Sequence, residues 1–148
     1  MSRRYAREDT FRIIFESLIN KMEKDDYLAD YFESVEKPAA EDGAFLNGTD
    51  DADKEYVERA VEGILTKQEE LDGIISDNLR GWEVSRISKV SIAVLRLALF
   101  EIIYMEDVPM KVAINEAVEL AKRYDGKECA SFVNGALASA VKKLNIED

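Results

Sequence analysis

Few residues of this chain have the chemistry that catalysis needs. The 148 residues include one cysteine, Cys129, and no histidine. A thiol reacts as a thiolate, and the commonest base that would activate Cys129 is therefore missing. Histidine is also a leading zinc ligand. The sequence predicts no enzyme, no metal and no cofactor, and a single cysteine excludes an internal disulfide.

Polar residues inside apolar sequence are the next candidates for chemistry, namely Arg96, Glu101 and the pair Asn115-Glu116. General acid–base catalysis needs groups placed around a substrate, and nothing in this spacing specifies a pocket. A charge inside an apolar helix needs a partner instead. We therefore expect Arg96 to pair with Glu116 in a structural network.

Charge is distributed unevenly along the chain. The formal net charge is −11, which argues against general nucleic-acid binding because phosphates repel an acidic surface. The first 12 residues nevertheless carry four arginines against Glu8 and Asp9, a net charge of +2, while the rest of the chain carries −13. The sequence thus places a small basic end on an acidic body.

The elements that position these residues are helices, and the central one is predicted over residues 89–104. Its sequence, KVSIAVLRLALFEIIY, leaves no clean polar face. A helix that is apolar all round must be buried on most sides. It is also too short and too interrupted to span a bilayer, which takes about 20 apolar residues.

Helical spacing of apolar residues continues on both sides of this segment. It predicts helices over residues 6–23, 26–36, 53–79, 110–124 and 128–144, with a loop at 36–53. The fold class is all-α, with about seven helices in two small bundles around the central buried helix. We expect one domain over residues 1–148, and a cytoplasmic protein, since no signal-like or membrane-spanning run is present.

Three motifs occur in order along the chain. They are LRLAxxE at residues 95–101, VPxKVAINEA at 108–117 and FVNG at 132–135. With the arginine-rich start, they resemble the NusB family of bacterial transcription antitermination factors. The resemblance runs from Arg3 to about Val141.

The resemblance implies an all-helical RNA-binding protein. Members of the family pair with a small-subunit ribosomal protein, called NusE in this role. The pair binds single-stranded boxA RNA in nascent transcripts and joins the complex that carries RNA polymerase past terminators, notably in ribosomal RNA operons. Whether the free protein is a monomer or a homodimer stays open.

The basic end is the first predicted RNA contact. Arg3, Arg4 and Arg7 project to the side of the first helix that bears its apolar stripe. Basic residues at a helix N-terminus oppose the macrodipole, so helix stability does not explain them. We expect them to contact RNA phosphates; the alternative is a solubilising, frayed terminus. The resemblance adds Phe15, which keeps a ring where the family has tyrosine but lacks the hydroxyl.

The FVNG motif supplies the second predicted RNA contact. Phe132 lies beside the core stripe of the last helix, where a half-exposed ring could stack on an unpaired base. Asn134 could bond a base edge. The alternatives are that Phe132 closes the edge of the core and that Asn134 satisfies a neighbouring backbone group.

Acidic residues flanking the central helix are the predicted contacts with the basic ribosomal protein, because complementary potentials favour such encounters. They are Glu83, Glu101, Glu106 and Asp107. Two other functions stay open. One is an acidic protein-interaction module that does not bind RNA. The other is the helical domain that precedes an RNA cytosine methyltransferase, although this chain has no room for the catalytic domain.

Overall fold

The computed structural model describes residues 3–20, 24–36, 51–79 and 87–146. Within these ranges every regular element is an α-helix, as the sequence predicts. The helices are α1 (Arg3–Ile19), α2 (Lys24–Glu36), α3 (Asp51–Thr66), α4 (Gln68–Asp77), α5 (Lys89–Tyr104), α6 (Met110–Asp125) and α7 (Lys127–Lys143). The predicted loop at 36–53 lies largely outside the described residues, as does Glu83.

The chain divides into two compact units, residues 1–66 and 67–148. In the first unit, α3 packs against α1 and α2. Its core contains Phe11 and Ile14 from α1, Tyr31 from α2, and Val57 and Ile64 from α3. On α1 and α3 the named residues follow helical spacing, so the side of each helix that bears them is covered by its neighbours.

The apolar stripe of α1 differs from the prediction at its C-terminal end. Helical spacing places Phe11, Ile14, Phe15, Leu18 and Ile19 on one predicted stripe. Phe11 and Ile14 are buried, but Ile19 is 57% exposed. Ile13, outside the predicted stripe, is buried. Ile19 is the last residue of α1. Burial therefore concentrates on the N-terminal two thirds of the helix and covers more than one of its sides.

The second unit is built around α5, whose observed bounds equal the predicted ones. Helices α4, α6 and α7 all pack against it, and every residue from Ser91 to Glu101 is buried. Ser88 caps the helix, because its Oγ accepts a hydrogen bond of 3.1 Å from the Ser91 backbone N–H. None of the described helices is long and apolar enough to cross a membrane.

The single long helix predicted over residues 53–79 is wrong. Lys67 leaves the helical region, with φ −101° and ψ 17°, and separates α3 from α4. The break coincides with the boundary between the two units. Ile64 before it and Leu71 after it are both fully buried, each in its own unit. The apolar spacing persists across the break, so periodicity could not reveal it.

Gly126 makes the turn between α6 and α7. Its φ of 91° lies in a region that L-residues with a side chain rarely adopt. A single residue thus ends one helix at Asp125 and begins the next at Lys127. This tight connection places the first turn of α7, and with it Cys129 and Phe132, at a fixed point of the second unit.

Candidate nucleic-acid interface

The three N-terminal arginines lie in the first two turns of α1, but they differ in exposure. Arg4 is exposed, Arg3 is partly exposed, and Arg7 is only 3% exposed. Arg4 therefore has the exposure that a phosphate contact requires. Arg7 is poorly placed for that role. The sequence did not distinguish the three arginines, because spacing predicts the side of a helix on which a residue lies but not how deeply it is buried.

Arg7 is one of several buried polar or charged residues in the first unit. Glu8 and Asp9 follow it on α1 and are buried, and Asp53 on α3 is also buried. Thr10 is fully buried and its hydroxyl donates a 2.9 Å hydrogen bond to the Ala6 carbonyl. Buried charges are retained when they are paired or hydrogen-bonded. The start of α1 thus buries polar and charged side chains as well as apolar ones.

Arg3 contacts an aromatic ring of the same unit. Its guanidinium carbon lies 4.6 Å from the centroid of the Tyr56 ring on α3. Tyr56 is 4% exposed, so its ring is held firmly by its surroundings. The distance is within the range of a cation–π interaction. Sequence spacing does not reveal this contact, because it joins two helices, α1 and α3, that are far apart along the chain.

Phe15 is half-buried on α1. Its ring centroid lies 6.0 Å from that of Phe11, with the ring planes inclined at 31°. Phe11 is buried, so this pair anchors Phe15 to the core of the first unit. The part of the ring left exposed is available to a base, and its RNA contact stays a prediction.

Phe132 lies between two grooves in the second unit. One, of about 360 Å³, is lined by Ser88, Ser91, Asp125 and Cys129 among others. The other, of about 600 Å³, runs from Asn78 and Leu79 along α7 to Lys142. Phe132 lines both and is half-buried. A ring at the rim of two concave surfaces is accessible from more than one side, as stacking requires.

Asn134 is exposed on α7 and lines neither groove. Its amide is accessible to a base edge, and its RNA contact likewise stays a prediction. The structure places Phe132 and Asn134 in the second unit, whereas the arginines and Phe15 lie in the first. The predicted RNA contacts therefore form two clusters, one in each unit.

Cys129 lies in the smaller groove and has no feature of a reactive thiol. Burial raises the pKa of the Cys129 thiol, so the thiol form is favoured. Its Sγ is 3.1 Å from the Ser91 Oγ, and the Ser88 hydroxyl in turn donates to Ser91 at 3.0 Å. Among the described residues, no group of three potential metal ligands comes together.

Arg96 is paired, but the predicted partner is wrong. The Arg96 Nε donates a 2.8 Å hydrogen bond to Oδ1 of Asp72 on α4, and Nη2 donates one of 2.8 Å to Oδ2. The partner is therefore Asp72 and not Glu116. The Arg96 side chain is 5% exposed and that of Asp72 is 29% exposed. A bidentate pair of this kind is geometrically specific. The pair joins α4 to α5, so Arg96 has a structural role, as expected.

The predicted partner-binding acids separate by exposure. Glu106 and Asp107 are exposed in the turn after α5, while Glu101 is fully buried and is unsuited to meet another protein directly. Glu83 lies outside the described residues. Of the three described acids, Glu106 and Asp107 are therefore the accessible ones. The contact of these two residues with a partner stays a prediction.

A polar cluster beside these acids was not predicted. The Tyr104 hydroxyl donates to the Glu70 carboxylate, 2.7 Å from each oxygen, and this bond raises the pKa of Tyr104. The Lys67 ammonium nitrogen lies 4.5 Å from the centroid of the Tyr104 ring. Tyr104 is more than 30 positions from both Glu70 and Lys67 along the chain, so no local spacing could have revealed the cluster.

Fold and site together define a small all-α protein with a basic helix terminus on an acidic chain. A model of the NusB family matches residues 4–142. The transcription antitermination protein NusB of Acetivibrio thermocellus is 42% identical over 142 residues, covering 96% of this chain and 90% of that protein. The chain therefore belongs to the NusB family.

Solved structures have the same fold. NusB of T. maritima superposes with a TM-score of 0.80 at 33% identity, covering 97% of this chain and 92% of that one. A chain in a crystal structure of antitermination factors NusB and NusE in complex with dsRNA also gives a TM-score of 0.80. It is 22% identical, and the match covers 95% of this chain and 96% of that one. The latter likeness concerns the fold alone.

Proposed function

We propose that this protein is a transcription antitermination factor that binds boxA RNA together with the ribosomal protein NusE. The observation that carries the proposal is the family match over residues 4–142, which includes Arg4, Arg7 and the FVNG motif. The protein acts in the cytoplasm, as one domain, within an antitermination complex on RNA polymerase. We assign it no catalytic activity.

The charge distribution supports RNA binding at a restricted site. An acidic chain repels RNA over most of its surface, but exposed Arg4 and partly exposed Arg3 supply local positive charge. Single-stranded RNA is recognised by base stacking and base-edge contacts as well as by phosphate contacts. Phe132 and Asn134 have the side chains and the exposure for those two contacts.

The exposed acidic residues after α5 support the proposal of a basic protein partner. Glu106 and Asp107 are exposed together after α5 and suit a basic ribosomal protein. A crystal structure that combines NusB and NusE with RNA has this fold. We propose that NusE binds this acidic turn and that binding lowers the electrostatic cost of bringing RNA to the protein.

Equilibrium titration tests the proposal. A labelled boxA RNA is titrated with the protein alone and with an equimolar mixture of protein and NusE, and a scrambled RNA and a duplex of the boxA sequence serve as controls. We expect tighter binding of single-stranded boxA than of either control, further tightened by NusE.

Equal affinity for boxA and scrambled RNA, with and without NusE, would contradict the proposal. NusE binding without any RNA binding would favour the acidic protein-interaction module instead. Stronger binding of the duplex would assign the protein to double-stranded RNA.

A further inference from the structure

The ring of Tyr56 lies where it can hold Arg3. The guanidinium carbon of Arg3 is 4.6 Å from the ring centroid. Tyr56 is 4% exposed on α3, which packs against α1, while Arg3 is the first residue of α1 and is partly exposed. A partly exposed cation at a helix end thus contacts a buried ring.

The contact between Arg3 and the Tyr56 ring can hold the guanidinium in a position suited to anion binding. A positive charge at a helix N-terminus opposes the macrodipole, so Arg3 tends to move away from the helix end. The negative face of an aromatic ring attracts a guanidinium. A planar guanidinium against a ring keeps N–H groups at its edge, and these match the oxygens of a phosphate. The ring therefore holds the cation without removing its capacity to bind an anion.

Preorganisation explains why holding Arg3 favours binding. A free arginine side chain loses rotamer freedom when it binds a phosphate, which opposes association. If the Tyr56 ring restricts Arg3 beforehand, less freedom is lost in the complex. We propose that Tyr56 is a positioning residue that holds Arg3 for contact with an RNA phosphate, an inference that rests on the proposed RNA binding.

A double-mutant cycle tests the inference. The variants are Tyr56→Leu, Arg3→Ala and the two combined, each titrated with labelled boxA RNA in the presence of NusE. We expect Tyr56→Leu to weaken binding about 2- to 10-fold, the factor that corresponds to a cation–π interaction at a partly exposed site. In the Arg3→Ala background, Tyr56→Leu should cause no further loss.

Two further variants separate positioning from folding. Tyr56→Phe keeps the ring and should bind RNA as the unmodified protein does. Val57→Ala removes buried volume from the neighbouring position of α3. It should lower stability but leave RNA affinity per folded molecule unchanged. If Tyr56→Leu unfolds, Tyr56→Met takes its place, since methionine fills irregular space with a flexible apolar chain.

The outcomes distinguish this inference from the proposed function. If the unmodified protein binds boxA but the losses from Tyr56→Leu and Arg3→Ala add, or Tyr56→Leu has no effect, Tyr56 does not position Arg3. Failure of Tyr56→Phe to retain affinity also overturns the inference. If the unmodified protein does not bind boxA at all, the proposed function fails and this inference fails with it.

Discussion

Arg4 and Arg7 are one turn apart on α1, and their surroundings give them different expected roles. Arg4 is exposed, whereas Arg7 is buried, as are Glu8, Asp9 and Asp53 of the same unit. A phosphate contact releases counterions from RNA, and its signature is therefore the salt dependence of binding. A buried arginine acts on the fold rather than on this dependence.

Replacing Arg4 and Arg7 separately tests this difference. Arg4→Ala should reduce the slope of log affinity against log salt by about 0.7, the value for one phosphate of a single strand. Arg7→Ala should leave the slope unchanged and lower the free energy of unfolding by about 1–3 kcal/mol, because it removes a buried side chain. RNA titration from low to high salt and urea unfolding measure the two quantities. Equal changes in slope would assign phosphate contacts to both residues.

Phe132 supports a prediction with two readouts. Phe132→Ala should weaken boxA binding about 5- to 150-fold, as loss of one base-stacking ring does. Because the ring is half-buried, the variant should lose less stability than Leu137→Ala, a fully buried position on the same helix for which about 2–5 kcal/mol is expected. Urea unfolding and RNA titration of both variants give the comparison. A stability loss as large as that of Leu137→Ala, with RNA affinity intact, would make Phe132 a core residue.

At the scale of residues, the sequence reveals types but not partners. The apolar setting of Arg96 required a partner for its charge, and that expectation was correct. Which carboxylate supplies it depends on how α4 packs against α5, and Asp72 lies 24 positions upstream. The contact of Tyr56 with Arg3 was missed for the same reason, since it joins two helices far apart in sequence.

At the scale of elements, helix α5 was predicted with its observed bounds because its apolar composition forces burial. The structure adds that Ser88 is its N-cap. The separation of α3 from α4 at Lys67 was not predictable from spacing, since neither glycine nor proline marks it. Its physical basis is tertiary: residues on the two sides of Lys67 join different packed units.

The ion pair between α4 and α5 gives the element-scale prediction. Asp72→Asn keeps the shape of the side chain but removes the charge that faces buried Arg96. The free energy of unfolding should fall by about 1.5–3 kcal/mol, the range for hydrogen bonds to charged groups. Asp77→Asn, an exposed position on the same helix, is the matched control and should change it by less than about 0.5 kcal/mol. Equal effects in urea unfolding would show that the pair adds nothing to stability.

At the scale of the whole molecule, net charge and its distribution govern encounter with partners. Glu106→Lys with Asp107→Lys should slow association with NusE about tenfold at low salt and affect dissociation less, because exposed charges mainly steer the approach. Glu55→Lys with Glu58→Lys on α3 changes the net charge equally at another exposed surface. Stopped-flow binding compares the two variants. An equal slowing by both would indicate a general charge effect and not an interface at the acidic turn.

In its proposed function, the protein promotes transcription past a terminator in response to boxA. The direct measurement is the fraction of transcripts that pass a terminator in a reaction with RNA polymerase, NusE and the other factors of the antitermination complex. Templates carry either boxA or a scrambled sequence. We predict that the protein raises this fraction on the boxA template alone, and that a variant with both Arg3→Ala and Arg4→Ala does so less. Equal read-through on both templates would contradict the proposed function. Full activity of that variant would contradict the proposed role of the two arginines.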